Sequence, residues 1–116
     1  YRFLVQHKKQ LETARTADGK PLDLVALPAP HVAKISAHTH AGGGGTTRMT
    51  DAAYANYLVT NGAVLVPVFG HLHDDRACAI IAEQFSGREV ARIPCVTLTE
   101  EGGAVHCVSQ QQPVAG

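Results

Sequence analysis

Tryptophan is missing from the 116 residues, methionine occurs once, and neither sign of charge is in excess, with ten Lys and Arg against ten Asp and Glu. A balanced charge offers no basic footprint for nucleic acid or for an anionic membrane, so neither is an expected partner. Long apolar runs are missing too. The longest, residues 63–69 and 77–82, fall far short of the ~20 residues that span a bilayer, and residues 1–5 lack the layout of a signal peptide. A soluble protein is expected. Cysteine is scarce: Cys78, Cys95 and Cys107 are odd in number and show no Cys-x-x-Cys spacing. That argues against a disulfide framework and a cysteine-based zinc site and for a reducing, cytoplasmic compartment. The length allows one domain with an ordinary core. The first residue is Tyr1 rather than Met, which reads as a segment of something larger. None of these quantities fixes an oligomeric state, so an oligomer stays open.

What is present alternates between the two regular periods. Residues 1–17 carry Phe3, Leu4, Val5, His7 and Leu11 as a partial helical stripe, which Asp18-Gly19-Lys20-Pro21 ends. Residues 22–29 read as a strand stopped by Pro28-Ala29-Pro30. Residues 31–50 hold His38-Thr39-His40 and four consecutive glycines, 42–45, expected as a flexible loop over about 38–50 because glycine carries a heavy ordering entropy and packs nothing. Residues 54–60 and 63–69 read as two strands of a hairpin joined at Asn61-Gly62, the dipeptide best suited to a type I′ turn. On the first of them Tyr54, Asn56 and Leu58 share a face. Asp74 or Asp75 then caps a helix to about Phe85, with Ala77, Cys78, Ile81 and Phe85 buried. Residues 89–95 form a further strand, at a sheet edge or strand end because of Pro94. The order predicts a mixed α/β fold.

Three places carry candidate chemistry. His38/His40 and His71/His73 are each spaced by two, but they lie in loops without a third ligand at a recognisable spacing, so exposed loop histidines are the expectation and no metal is. Gly42 to Gly45 lack the Lys-Ser/Thr and following helix of a phosphate loop. The third place is Gly102-Gly103-Ala104-Val105-His106-Cys107-Val108-Ser109-Gln110-Gln111-Gln112-Pro113. Cysteine is the most nucleophilic side chain available and a glycine pair lets a ligand approach the backbone, yet the usual fate of a free cysteine is that of a small buried hydrophobe. On a strand, adjacent residues face opposite ways, so His106 is the residue least able to take the Cys107 proton. Asn56 is open between an ordinary satisfied amide and a site residue.

That closing stretch resembles the C-terminal signature of agmatine deiminases and Porphyromonas-type peptidylarginine deiminases. The resemblance continues upstream through Ala53-Tyr54-Ala55-Asn56-Tyr57, residues 61–70, and Asp18-Gly19-Lys20-Pro21-Leu22 followed by Leu27-Pro28. It implies part of a pentein (α/β propeller) fold, about one complete ββαβ unit with flanking strands and helix, residues 1–116 being the C-terminal segment of one catalytic domain. The implied activity is hydrolysis of a guanidinium, agmatine giving N-carbamoylputrescine and ammonia in putrescine synthesis, without metal or organic cofactor. Cys107 takes the nucleophile's position. Asn56 takes an active-site position, and Gly102 and Gly103 match glycines that let substrate lie against the backbone. The implied partner is a small guanidino compound, with peptidylarginine the alternative. Departures are Glu101 where the family has a third glycine, His71-Leu72-His73 where it has an acidic turn, and a longer loop over 38–47. The Gly-His-x-Asp and acidic segments that would bring the catalytic histidine and carboxylates are not in the chain. The 116 residues alone are therefore expected to be inactive, the competing class being a non-catalytic fragment or binding module.

Overall fold

Val64 and Val66 alternate with Ala63, Leu65 and Pro67 along a single run, and this run is the central strand of the fold. A computed structural model of the chain describes residues 2–30 and 52–113, together with the backbone of Ile35–Ser36 and Thr47–Arg48. In chain order the elements are α1 (Arg2–Thr13), β1 (Ile35–Ser36), β2 (Thr47–Arg48), β3 (Leu58–Val59), β4 (Ala63–Val68), α2 (Asp74–Gln84), β5 (Glu89–Pro94) and α3 (Val96–Glu100), followed by a 3-10 turn at His106–Val108. β3 pairs antiparallel with β4, and β4 pairs parallel with β5 from Ala63↔Glu89 to Val68↔Pro94. With α2 as the crossover, this is one ββαβ unit in strand order β3-β4-β5.

Alternation along β4 divides the core. Val64 and Val66, both at 0% exposure, pack with Cys78 and Ile81 of α2. Leu65 joins a second cluster built on Tyr54, Phe69, Ala77, Cys95, Ala104 and Val105, which lies beneath the C-terminal stretch. Fully burying a side chain of Val or Ile size is worth about 1.5–3 kcal/mol, so the few residues of these clusters carry the stability of the unit. Of the expected stripe of α2, Ala77, Cys78 and Ile81 are buried, while Phe85 at the helix end is only half-buried, its ring edge-on to Tyr57. Pro94 ends β5 at the sheet edge, as its missing N–H requires.

Several expectations fail, each for a physical reason. The hairpin is closed at Asn61-Gly62 by a bond from the Thr60 amide to the Ala63 carbonyl, 2.8 Å, but Gly62 does not take the left-handed φ of a type I′ turn. Its first strand is two residues long rather than seven. In the observed register Thr60 and Leu58 occupy the hydrogen-bonded positions, and the next such pair would be Asn56 with Pro67. Proline has no N–H to give, so the ladder stops at Leu58 and residues 53–56 turn away, the Asn56 amide bonding to the Ala53 carbonyl at 3.1 Å.

Residues 22–29 form no strand. Pro21, Pro28 and Pro30 each withhold a donor, and the pairing nearby is a single bridge, Arg15↔Pro21. α1 ends at Thr13, before Asp18-Gly19: the Arg15 guanidinium donates to the carbonyls of Glu12, Thr13 and Ala14, satisfying the helix end. Gly19, at φ 80°, serves the separate turn that follows. Neither Asp74 nor Asp75 caps α2, since His73 holds that position without a side-chain bond. The glycine-rich loop of 38–50, apart from the β2 backbone, and His38 and His40 lie outside the described residues.

Candidate active site

The stretch after α3 is not a strand. Gly102 and Gly103 have φ of 92° and 111°, values that L side chains rarely adopt, and together they turn the chain inward so that Ala104 and Val105 are buried. The Cys107 amide then donates to the Ala104 carbonyl at 3.1 Å and the Ser109 amide to the His106 carbonyl at 3.1 Å. This single 3-10 turn lifts Cys107 to the surface, where it is exposed, whereas Cys78 and Cys95 are 4% and 1% exposed. The alternation used to set His106 aside therefore does not apply. On a 3-10 turn neighbouring side chains are separated by about a third of a revolution, not half. His106 stands exposed beside Cys107.

Asn56 meets this turn from a segment 51 residues earlier in the chain than Cys107. Its Oδ1 accepts from the amides of His106 at 3.0 Å and Cys107 at 3.3 Å, and its backbone carbonyl, released from the sheet by Pro67, accepts from the His106 amide at 3.4 Å. Two N–H donors on one side of a carboxamide fix which end is oxygen. The Asn56 Nδ2 therefore faces sulfur and donates to Cys107 Sγ at 2.9 Å. A donor aimed at sulfur fixes the direction in which the side chain is held.

Gly103 forms the opposite wall. A Cβ on it would lie 2.8 Å from both Cβ and Sγ of Cys107 and 4.0 Å from Asn56 Nδ2. The space that glycine leaves is taken by the cysteine side chain. Gly102 contributes its left-handed φ to the turn.

Behind the site, the Tyr54 hydroxyl donates to Asp74 Oδ1 at 2.6 Å. The same carboxylate accepts from the Phe69 amide at 3.2 Å and the His71 amide at 3.0 Å. Burial pushes the Asp74 carboxyl up, but the bonds from Tyr54, Phe69, His71 and Gly70 outweigh it and hold the group below its ordinary value of 3.8. Burial, then the bond to Asp74, pushes the Tyr54 phenol well above its ordinary value. This clasp was not foreseen. Its one trace in the sequence is a tyrosine two residues before Asn56 and an aspartate opening a helix. Cys78 and Cys95 are both raised by burial, as expected of inert core thiols.

His71 and His73 are half-buried rather than exposed. Their rings meet edge to face with centroids 4.8 Å apart. The His73 amide donates to His71 Nδ1 at 3.2 Å, and His73 Nδ1 lies 3.2 Å from the Ala29 carbonyl, an acceptor only, which places the proton on that nitrogen. Among the described residues no three His, Cys, Asp or Glu side chains converge as a metal site would need, and no helix is long and apolar enough to cross a membrane.

The model of the Porphyromonas-type peptidyl-arginine deiminase family matches residues 1–113. The chain belongs to that family. Agmatine deiminases of Stutzerimonas stutzeri and Ectopseudomonas mendocina are each 32% identical to it over 111 residues, covering 89% of this chain and 30% of theirs. The agmatine deiminase of Enterococcus faecalis superposes with a TM-score of 0.84 at 24% identity, over 97% of this chain and 33% of that one. This family member thus spans less than a third of the curated relatives it matches, and its ββαβ unit is part of the pentein fold those deiminases share.

Proposed function

We propose that Cys107 is the nucleophile of a site that hydrolyses a guanidinium, with agmatine as substrate and residues 1–116 supplying the nucleophile's side of the pocket. The observation that carries this reading is the contact of Asn56 Nδ2 with Cys107 Sγ, on an exposed turn shaped so that only glycine fits at position 103. In the reaction, Sγ bonds to the guanidinium carbon. The carbon–nitrogen bond breaks, and ammonia leaves with a proton from a general acid. Water then adds to the thiouronium carbon, gives its proton to that same group, and breaks the carbon–sulfur bond, releasing the ureido product and restoring the thiolate. A guanidinium is a weak electrophile, so the thiolate must work with a paired acid/base and fixed opposite charge. Following the family resemblance, the histidine and carboxylates for those roles are taken to come from outside these residues, and His106, exposed beside Cys107, is assigned neither. Agmatine is preferred to peptidylarginine because the curated relatives are named for it.

A graft tests the reading. Residues 1–116 replace the matching third of the Enterococcus faecalis enzyme, and ammonia release from agmatine is followed. Turnover is expected, and Cys107→Ser in the graft should abolish it. A folded graft without activity, or one that keeps activity after Cys107→Ser, contradicts the proposal. The 116 residues alone are expected to release no ammonia, and turnover by them would overturn the assignment of the acid/base to outside residues.

A further inference from the structure

Asn56 can steer a thiol only if its own backbone is held still, and the sheet does not hold it. β3 stops at Leu58, and residues 53–56 are an irregular turn closed by one bond, from the Asn56 amide to the Ala53 carbonyl. The anchor of that turn is Tyr54. Its side chain is 1% exposed, its ring meets Phe69 with centroids 5.4 Å apart, and its hydroxyl ends on Asp74. Asp74 is in turn fixed by the Phe69 and His71 amides at the entry to α2. A continuous path of bonds therefore runs from the start of α2 through Asp74 and Tyr54 to the turn that carries Asn56, and from Asn56 to the amides and sulfur of the Cys107 turn.

We propose that Tyr54 and Asp74 are positioning residues for the reaction, holding the Asn56 carboxamide at hydrogen-bonding distance from Cys107 Sγ. This rests on reading Cys107 as the nucleophile. Neither residue touches the sulfur. Loss of the Tyr54 hydroxyl leaves its ring packed on Phe69 but releases the turn from α2, so Asn56 Nδ2 loses its fixed aim. Hydrogen bonds weaken steeply with distance and misalignment, so a small displacement of the turn is read directly in the hold on the Cys107 sulfur.

The test is site-resolved alkylation of the full chain by iodoacetamide at neutral pH, read by mass spectrometry for each cysteine. Cys78 is a built-in gauge of folding, since it is protected in the folded chain and reacts if the chain opens. Asn56→Ala should slow Cys107 by about tenfold, the scale of one bond to a charged group. Tyr54→Phe and Asp74→Asn should each slow it by about three- to tenfold while Cys78 stays protected. The decisive readout is coupling: in the Asn56→Ala background, Tyr54→Phe should slow Cys107 no further, because residues acting through one another are not additive. If Tyr54→Phe leaves Cys107 unchanged, or slows it by the same factor with and without Asn56, the positioning role is overturned and the nucleophile reading stands. If Asn56→Ala itself has no effect on Cys107, the reading of the site beneath the proposal fails. Should Asp74→Asn expose Cys78, Tyr54→Phe alone decides the question, because it deletes one buried oxygen and no packing.

Discussion

Residues 2–30 and residues 52–113 use similar amino acids to opposite ends. In the second region the apolar positions of β4 and α2 close on one another, and Val64, Val66, Cys78 and Ile81 leave water almost entirely. In the first, α1 has helical spacing and a well-satisfied C-terminal end, yet it buries no residue: Phe3 is 75% exposed and Leu4 70%. Leu22, Leu24 and Val25 continue the exposed apolar surface, and only at Leu27 does the segment reach the two core clusters. The contrast teaches that an amphipathic pattern says which face is to be covered and not what covers it. The ββαβ unit contains its own partner, whereas among the described residues nothing covers the apolar face of the helix and of the segment after it.

Four predictions press on that contrast. The largest effect is expected from Ile81→Ala, which removes the residue joining α2 to β4 and should cost about 2–5 kcal/mol in urea unfolding. A cost near zero would mean that the unit is not closed as described. Gly103→Ala sets a methyl 2.8 Å from Cys107 and should cost about 1–3 kcal/mol by overpacking, with alkylation of Cys107 slowed in the folded protein. Next comes the acid limb of stability. The Asp74 carboxyl is depressed in the folded state, so its contribution is complete above the ordinary value of 3.8 and is lost as pH falls through the lower folded value. Asp74→Asn should flatten that limb, and an unchanged acid midpoint would remove Asp74 from the account. The smallest effects belong to the first region: Phe3→Ser and Leu4→Ser should each stay within about 0.5 kcal/mol, and the amides of α1 should exchange faster with solvent than those of β4. A large loss at either position would show that α1 is covered after all.

The same division marks what could be read beforehand. The hairpin connection, the buried stripe of α2 and the strand ending at Pro94 follow from local rules whose partners are near in sequence, and they stand where expected. The strand through Asn56 was overestimated because its length is set by a residue of the opposite strand, Pro67, and alternation within one segment cannot report a donor missing in another. Val105 to Val108 alternates as a strand would. The two glycines before it instead reverse the chain, and the conformation they allow cannot be told from composition. Residues 22–29 illustrate the known ambiguity of short apolar runs bounded by prolines. At the site, Cys107 and Asn56 came forward through the family resemblance. The bonds from Tyr54 to Asp74 and from Asn56 to the sulfur join residues 20 and 51 positions apart, and no local pattern encodes them; the requirement for Gly103 arises within the Cys107 turn itself and depends on a backbone conformation that composition does not report.

Of the three cysteines, Cys107 is the one proposed to meet a guanidinium-like carbon. This is tested most directly by treating the folded protein with 2-chloroacetamidine, an electrophile carrying the amidinium charge, and locating the adduct by mass spectrometry. Cys107 is expected to be modified first while Cys78 and Cys95 stay intact. Modification of Cys78 or Cys95 ahead of Cys107 would contradict it.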